Sequence, residues 1–181
     1  MDDIHAILKF WFEDIESSKW WIQDTVFDEE IRRRFLTIHQ KATRCELDAW
    51  RDTPEGALAE IIVLDQFSRN MFRGQPQSFA WDPLALALAQ SAIRLQYDQE
   101  LDAARRLFIY MPFMHSESRE IHAVAKMLFA QEGLENNEKF EIEHKQIIDR
   151  FGRYPHRNRV LGRQSTPDEI EFLHAPIKQD Y

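Results

Sequence analysis

Apolar residues recur with helical spacing along nearly the whole chain. Ile4, Ile7, Leu8, Trp11, Phe12 and Ile15 fall at i, i+3, i+4, i+7, i+8 and i+11, which predicts one face of a first helix, with Asp2 or Asp3 as its cap. Phe27, Ile31, Phe35, Ile38 and Ala42 stripe a second helix, and Asp28 and Glu29 put negative charge at its start, where the helix dipole favours it. Thr53-Pro54 opens a third: a side-chain oxygen caps it, and the proline's missing N–H costs nothing at the first helical position. Leu58, Ile61, Ile62 and Asp65 share one face of that helix. The run Ile61–Leu64 is short enough for a buried strand, but its flanks EGALAE and DQF continue the helical period.

Asp82-Pro83 repeats the start signal before a fourth helix. A fifth spans roughly Gln99 to Met111 and is expected to stop at Pro112, which cannot donate to the helical ladder. Ser116 is expected to cap a sixth carrying Ile121, Val124, Ala125, Leu128 and Phe129, with Gly133 as its stop. Phe140, His144, Ile147, Ile148 and Phe151 stripe a seventh, ended by Gly152. Thr166-Pro167-Asp168-Glu169 is a capping box that opens a short terminal helix. The pattern therefore predicts an all-α fold of about eight helices. It shows no linker or low-complexity run, so a single domain over residues 1–181 is expected.

Composition agrees. Of 181 residues, 44% are apolar, and 13 Phe, 5 Trp and 4 Tyr supply ample core material. Five Gly and seven Pro are too few for a turn-rich β-sandwich or barrel. A single cysteine, Cys45, excludes an internal disulfide and a multi-cysteine metal site. The start MDDIHAILKFWF is acidic and lacks the basic region and small-residue cleavage site of a signal peptide, and no apolar stretch is long enough to span a membrane. With a free thiol, this predicts a cytoplasmic protein without membrane partners. No P-loop, dinucleotide-binding, zinc-protease or serine-hydrolase motif is present, and no cofactor is expected.

Charge changes the picture. The net charge of −8 argues against nucleic acid as a partner. Between Arg150 and Arg163, however, stand five arginines, His156 and no acid, so a +5 segment leaves −13 on the rest of the chain. Guanidinium is a planar, permanently charged fork suited to phosphate or carboxylate. The segment thus reads as an anion site built from Arg153, His156, Arg157, Asn158 and Arg163, or as arginines paired with nearby carboxylates and helix ends.

An internal echo links this segment to a second one. Asp65-x-Phe67-x-Arg69-x3-Arg73-x8-Asp82-Pro83 matches Asp149-x-Phe151-x-Arg153-x3-Arg157-x8-Thr166-Pro167 without a gap. A duplication would deliver two arginine-bearing loops, which motivates placing Arg69, Arg73, Arg153 and Arg157 on one cavity. Asp65 reads either as a surface partner of Arg69, four residues on, or as a buried carboxylate needing a partner. His115 and Glu117 read as an acid/base couple, or as a backbone-bonded histidine beside a helix start. Glu141-x-x-His144 and Glu171-x-x-His174 match the spacing of di-iron bundles, but the last helix is too short for such a site and no metal is expected.

The segments FWF, LDQFSRNMFRG, FAWDPLA, YMPFMHSE, RFGRYPHRN and LGRQSTPDE, in this order from about Ile7 to Leu173, resemble a widespread, mostly bacterial family of uncharacterised proteins, domain-of-unknown-function family 924. The resemblance implies a helical fold related to tetratricopeptide repeats, with stacked antiparallel hairpins in a right-handed array. It implies no activity. The 34-residue pattern of typical tetratricopeptide repeats is not evident, so their peptide-binding groove does not carry over.

Three functional expectations follow. The first is binding of an anionic small molecule or a carboxylate-bearing peptide by Arg69, Arg73, Arg153 and Arg157, completed by His156, Asn158 and Arg163 and oriented by Asp65, His115 and Glu117. The second is a hydrolase or transferase acting on a phosphorylated or acidic metabolite, with His115 or His156 as acid/base and Glu117 as a further catalytic candidate. The third is a protein scaffold anchored by tryptophans among Trp11, Trp20, Trp21 and Trp50.

Overall fold

The computed structural model describes residues 3–175, and the alternative cap Asp2 lies outside them. Nine helices and no strand occur among these residues: α1 (Asp3–Lys9, continued by a π-helical turn Phe10–Asp14), α2 (Thr25–Thr43), α3 (Pro54–Ile62, a π-helical turn Val63–Phe67, then Ser68–Met71), α4 (Asp82–Arg94), the single turn α5 (Tyr97–Glu100), α6 (Ala103–Met114), α7 (Arg119–Phe129), α8 (Glu135–Phe151) and α9 (Pro167–His174). The fold is all-helical, as the spacing predicts.

Helix α3 is the axis of the molecule. Every residue from Gly56 to Ser68 is buried, so this helix has no solvent face and is covered by α1, α2, α4 and α6. Such a helix must be apolar all round, and the few polar side chains it carries must find partners inside. Thr53 caps it by accepting the Gly56 N–H at 3.1 Å, with Pro54 at the first position. A large cluster containing Phe10, Trp11, Phe35, Phe67 and Phe108 packs around it, and a smaller one joins Ile147, Ile148 and Tyr154 to Phe151 and Phe172. Trp11 is buried, and the Trp20 indole donates to the Trp11 carbonyl at 2.9 Å. Trp20 and Trp50 pack on the core, and Trp21 stays 52% exposed.

Several helix ends differ from the sequence expectations. Pro112 lies inside α6, not at its end; the buried Phe113 and Met114 carry the helix on past the missing N–H, and the His115 N–H reaches the Met111 carbonyl at 3.0 Å. The segment starting near Gln99 is two pieces, because Asp102 caps α6 by accepting the Arg105 N–H at 2.9 Å. Ser118, not Ser116, caps α7. Ser118 Oγ accepts the Ile121 N–H at 3.4 Å, and the Ser116 carbonyl accepts from His122 Nε2 at 2.9 Å. Helix α7 ends at Phe129, and Gly133 (φ +88°) serves the turn beyond it. Gly152 (φ +70°) ends α8, and the Thr166–Glu169 capping box opens α9, both as predicted.

Candidate functional site

The π-helical turn of α3 carries Asp65 at its centre. Such turns shift the helical register and are frequent at functional sites. Asp65 is 1% exposed, and its Oδ1 faces His115 Nδ1 at 2.8 Å while its Oδ2 accepts from Gln66 Nε2 at 2.6 Å. One turn on, Arg69 donates from NH1 to the Asp65 carbonyl at 2.8 Å and stands 3.2 Å from Asp65 Oδ1. The same guanidinium grips Asp82, at the start of α4, with two bonds of 3.0 Å. Arg157, from the loop after α8, reaches Asp82 Oδ2 at 3.2 Å and the His115 carbonyl at 3.0 Å. Its guanidinium lies 4.5 Å from the Phe79 ring centroid and 4.6 Å from that of Tyr154. The folded chain thus brings Asp65, Arg69, Asp82, His115 and Arg157 into one cluster.

The electrostatics of this cluster are uneven. Burial pushes the Asp65 carboxyl up, but the Arg69 charge, His115 and Gln66 outweigh it and hold the group ionised below the usual range. Burial, and secondarily the Arg69 charge, lower the His115 pKa against the pull of Asp65. A neutral imidazole follows near pH 7, with Nδ1–H donating to the Asp65 carboxylate and Nε2 as a free lone pair. Nε2 makes no hydrogen bond among the described residues, and the His115 side chain keeps 13% of its surface open. Within the cluster, Arg157 is less fully compensated than Arg69. It shares a carboxylate already held bidentately by Arg69, its buried Nε has no partner, and burial followed by the Arg69 charge lowers its pKa.

The remaining arginines do not join this cluster, contrary to the single cavity expected from the echo. Arg73 turns to α2, where Nε and NH2 bond Asp28 at 2.6 and 2.8 Å. Arg153 grips Glu169 of α9 at 2.6 and 2.8 Å, holding that carboxyl down to about 2. Arg163 pairs with Glu117 at 2.6 and 3.0 Å, and Glu117 also accepts the Tyr154 N–H at 2.7 Å. Asn158 is buried, accepts from Arg163 Nε at 2.9 Å and donates to Ser165 and Glu169, a loop brace. His156 is exposed on the loop, with its ring centroid 5.4 Å from that of Tyr154. Asp28, read as a dipole partner, is an ion-pair acceptor, because Asp24 caps α2.

Sequence reasoning missed the roles of Asp82, which reads only as a helix start, and of Phe79. It also missed a buried pair: His122 Nδ1 lies 2.8 Å from Glu141 Oε1, both 0% exposed, with Tyr154 Oη 3.1 Å from His122 Nε2. Burial pushes the Glu141 carboxyl up. The i, i+3 partner Glu141 therefore serves His122, and His144 Nδ1 donates to the Phe140 carbonyl at 2.8 Å. Among the described residues no group of three or more His, Cys, Asp or Glu is placed to hold a metal ion, and no helix is long and apolar enough to cross a membrane.

Fold and cluster together define an all-helical protein with a buried carboxylate–histidine pair in its central helix. The model of the family described as a bacterial protein of unknown function (DUF924) matches residues 7–177, and the chain belongs to that family. It is similar, at 39% identity and a TM-score of 0.90, to the solved structure of the protein of unknown function ATU0120 from Agrobacterium tumefaciens, with 94% of this chain and 96% of that chain covered. No curated protein matches the sequence.

Proposed function

We propose that this chain binds a small acidic metabolite at the mouth of the Asp65–His115 cluster and uses His115 Nε2 as acid or base on it, as a cytoplasmic hydrolase or transferase does. One observation carries the reading: Asp65 holds His115 by Nδ1 at 2.8 Å and leaves Nε2 unpartnered on a side chain still 13% open. A buried carboxylate behind an imidazole fixes its tautomer and steadies the imidazolium formed on proton uptake. Arg157 supports an acidic ligand, since Asp82 is bonded bidentately to Arg69 and reaches Arg157 with one oxygen at 3.2 Å. Glu117, Arg153 and Arg163 act in this reading as braces of the loop that presents Arg157.

The test is a turnover screen over phosphorylated and carboxylate metabolites, with wild type, His115→Gln and Arg157→Met compared by heat-stability shift and product formation. The expected result is a ligand that stabilises wild type and His115→Gln but is converted only by wild type, with weaker binding in Arg157→Met. Binding without turnover reduces the site to a ligand-binding one. Equal binding and turnover in all three variants contradicts the proposal.

A further inference from the structure

A second polar site lies on the other side of the α3 C-terminus. Arg69 and Asn70 are neighbours in sequence, yet Arg69 bonds Asp82 of α4 and Asn70 bonds Asp28 of α2 at 2.8 Å. Between the first turns of α2 and the segment after α3 lies a wide, solvent-open depression of about 310 Å³, bordered by Asp28, Glu29, Arg32, Asn70 and Arg73. That volume suits a small metabolite and exceeds the needs of a lone ion.

Two guanidinium groups are held in place at its wall. Arg32 donates from NH1 to the Met71 carbonyl at 2.8 Å, and its guanidinium carbon sits 5.4 Å from the Phe72 ring centroid. Arg73 is clamped by Asp28 through Nε and NH2. Asp28 accepts three hydrogen bonds from Arg73 and Asn70, so the Asp28–Arg73 pair is neutral and Arg32 carries the positive charge left on this wall. What remains unbonded is the Nε–NH2 edge of Arg32 and the NH1 corner of Arg73. Both are fixed donors, so little side-chain entropy is lost when they take a carboxylate. On the same wall Glu29 is exposed, and none of its side-chain bonds is formed. The depression therefore offers cationic donors and an anionic acceptor within one small space, with zero net charge over Arg32, Arg73, Asp28 and Glu29.

We infer that this depression binds a free α-amino acid, its carboxylate on Arg32 and Arg73 and its ammonium on Glu29. A zwitterion matches a neutral, two-signed wall, whereas a simple dianion faces Glu29 unfavourably. The site is separate from the Asp65–His115 cluster and stands or falls without it.

The experiment is calorimetric titration of the full chain with individual L-amino acids, alongside partners that lack one charge: succinate for aspartate, glutarate for glutamate, and inorganic phosphate. One amino acid is expected to bind at least tenfold tighter than its deamino partner. Glu29→Gln, a change on an exposed side chain, is expected to remove that preference, and Arg32→Gln to weaken binding at least tenfold. His115→Gln is expected to leave the affinity unchanged. Absence of binding by every amino acid, equal affinity for aspartate and succinate, or tight binding retained in Glu29→Gln overturns the inference.

Discussion

His115 Nδ1 stands 2.8 Å from Asp65 Oδ1 across fifty residues of sequence, and Asp65 is 1% exposed. Three groups compensate the Asp65 charge, and Asp65 in turn compensates the buried Arg69. Asp65→Asn removes the anion and leaves Arg69 and His115 facing each other. The expected cost is about 1–3 kcal/mol in urea unfolding, since Arg69 keeps its two bonds to Asp82 while the buried donors on His115 and Gln66 lose their anionic acceptor. The His115 pKa is expected to fall further, because Asp65 raises it. Stability equal to wild type contradicts this assignment.

Asp82 serves two guanidinium groups, so its two sides are not equivalent. Asp82→Asn leaves Arg157 without a carboxylate and Arg69 with Asp65 alone, with an expected cost of about 3–5 kcal/mol. Arg157→Met removes one cation, keeps the Asp82–Arg69 pair and fills the space beside Phe79 and Tyr154 with apolar atoms. It is expected to cost at least about 1 kcal/mol less than Asp82→Asn. Denaturant midpoints at constant m decide the order, and a reversed order refutes the shared-carboxylate account.

Acid lability is expected to have a contribution from His39, which is 3% exposed and bonded through Nε2 to Ser68 Oγ at 2.8 Å. Burial pushes its pKa from 6.5 down to about 4. Between those values the unfolded chain binds the proton and the folded one does not, so stability is full above pH 6.5 and falls as pH drops toward 4. The loss is about 3 kcal/mol at most. Unfolding free energies measured at pH 7 and pH 4.5 should differ less in His39→Gln than in wild type, by roughly that amount. An identical pH dependence in the two proteins rules the contribution out.

Gly56 offers a test of the fold itself. Alanine is the better helix former, yet a Cβ here meets the Trp50 carbonyl oxygen at 2.0 Å and Thr53 Oγ1 at 2.9 Å. The close approach of the Asp48–Asp52 turn to α3 requires glycine. Gly56→Ala is expected to lower stability by about 2–3 kcal/mol, against a propensity gain of about 1 kcal/mol. Thermal unfolding checks the sign, and a stabilised variant contradicts the packing.

Local signals in the sequence suffice for the helical class and for several of the helix ends. Thr53-Pro54, Thr166-Pro167 and Gly152 mark ends because capping depends on neighbours a few residues apart. Pro112 misled for the opposite reason: burial of Phe113 and Met114 is a tertiary effect and overrides the local signal. Asp65 was readable as a buried carboxylate because it lies on the stripe of Leu58, Ile61 and Ile62. Its partner His115 was not, since no local period connects positions fifty residues apart. The echo had a partial structural basis. Arg69 and Arg153, its matching members, each reach across a loop to a carboxylate in the first turn of the next helix, Asp82 and Glu169. Their guanidinium groups nevertheless serve different helices, which charge counting along the chain does not reveal.

An imidazole held by Asp65 with Nε2 available has a distinct signature in nitrogen NMR of His115. Near pH 7 the expected spectrum has Nδ1 protonated and Nε2 unprotonated, with a pKa below 6.5, and the Nε2 signal moves when an acidic ligand from the screen is added. A proton on Nε2 at neutral pH, or an Nε2 signal unmoved by a ligand that binds and is turned over, contradicts the account.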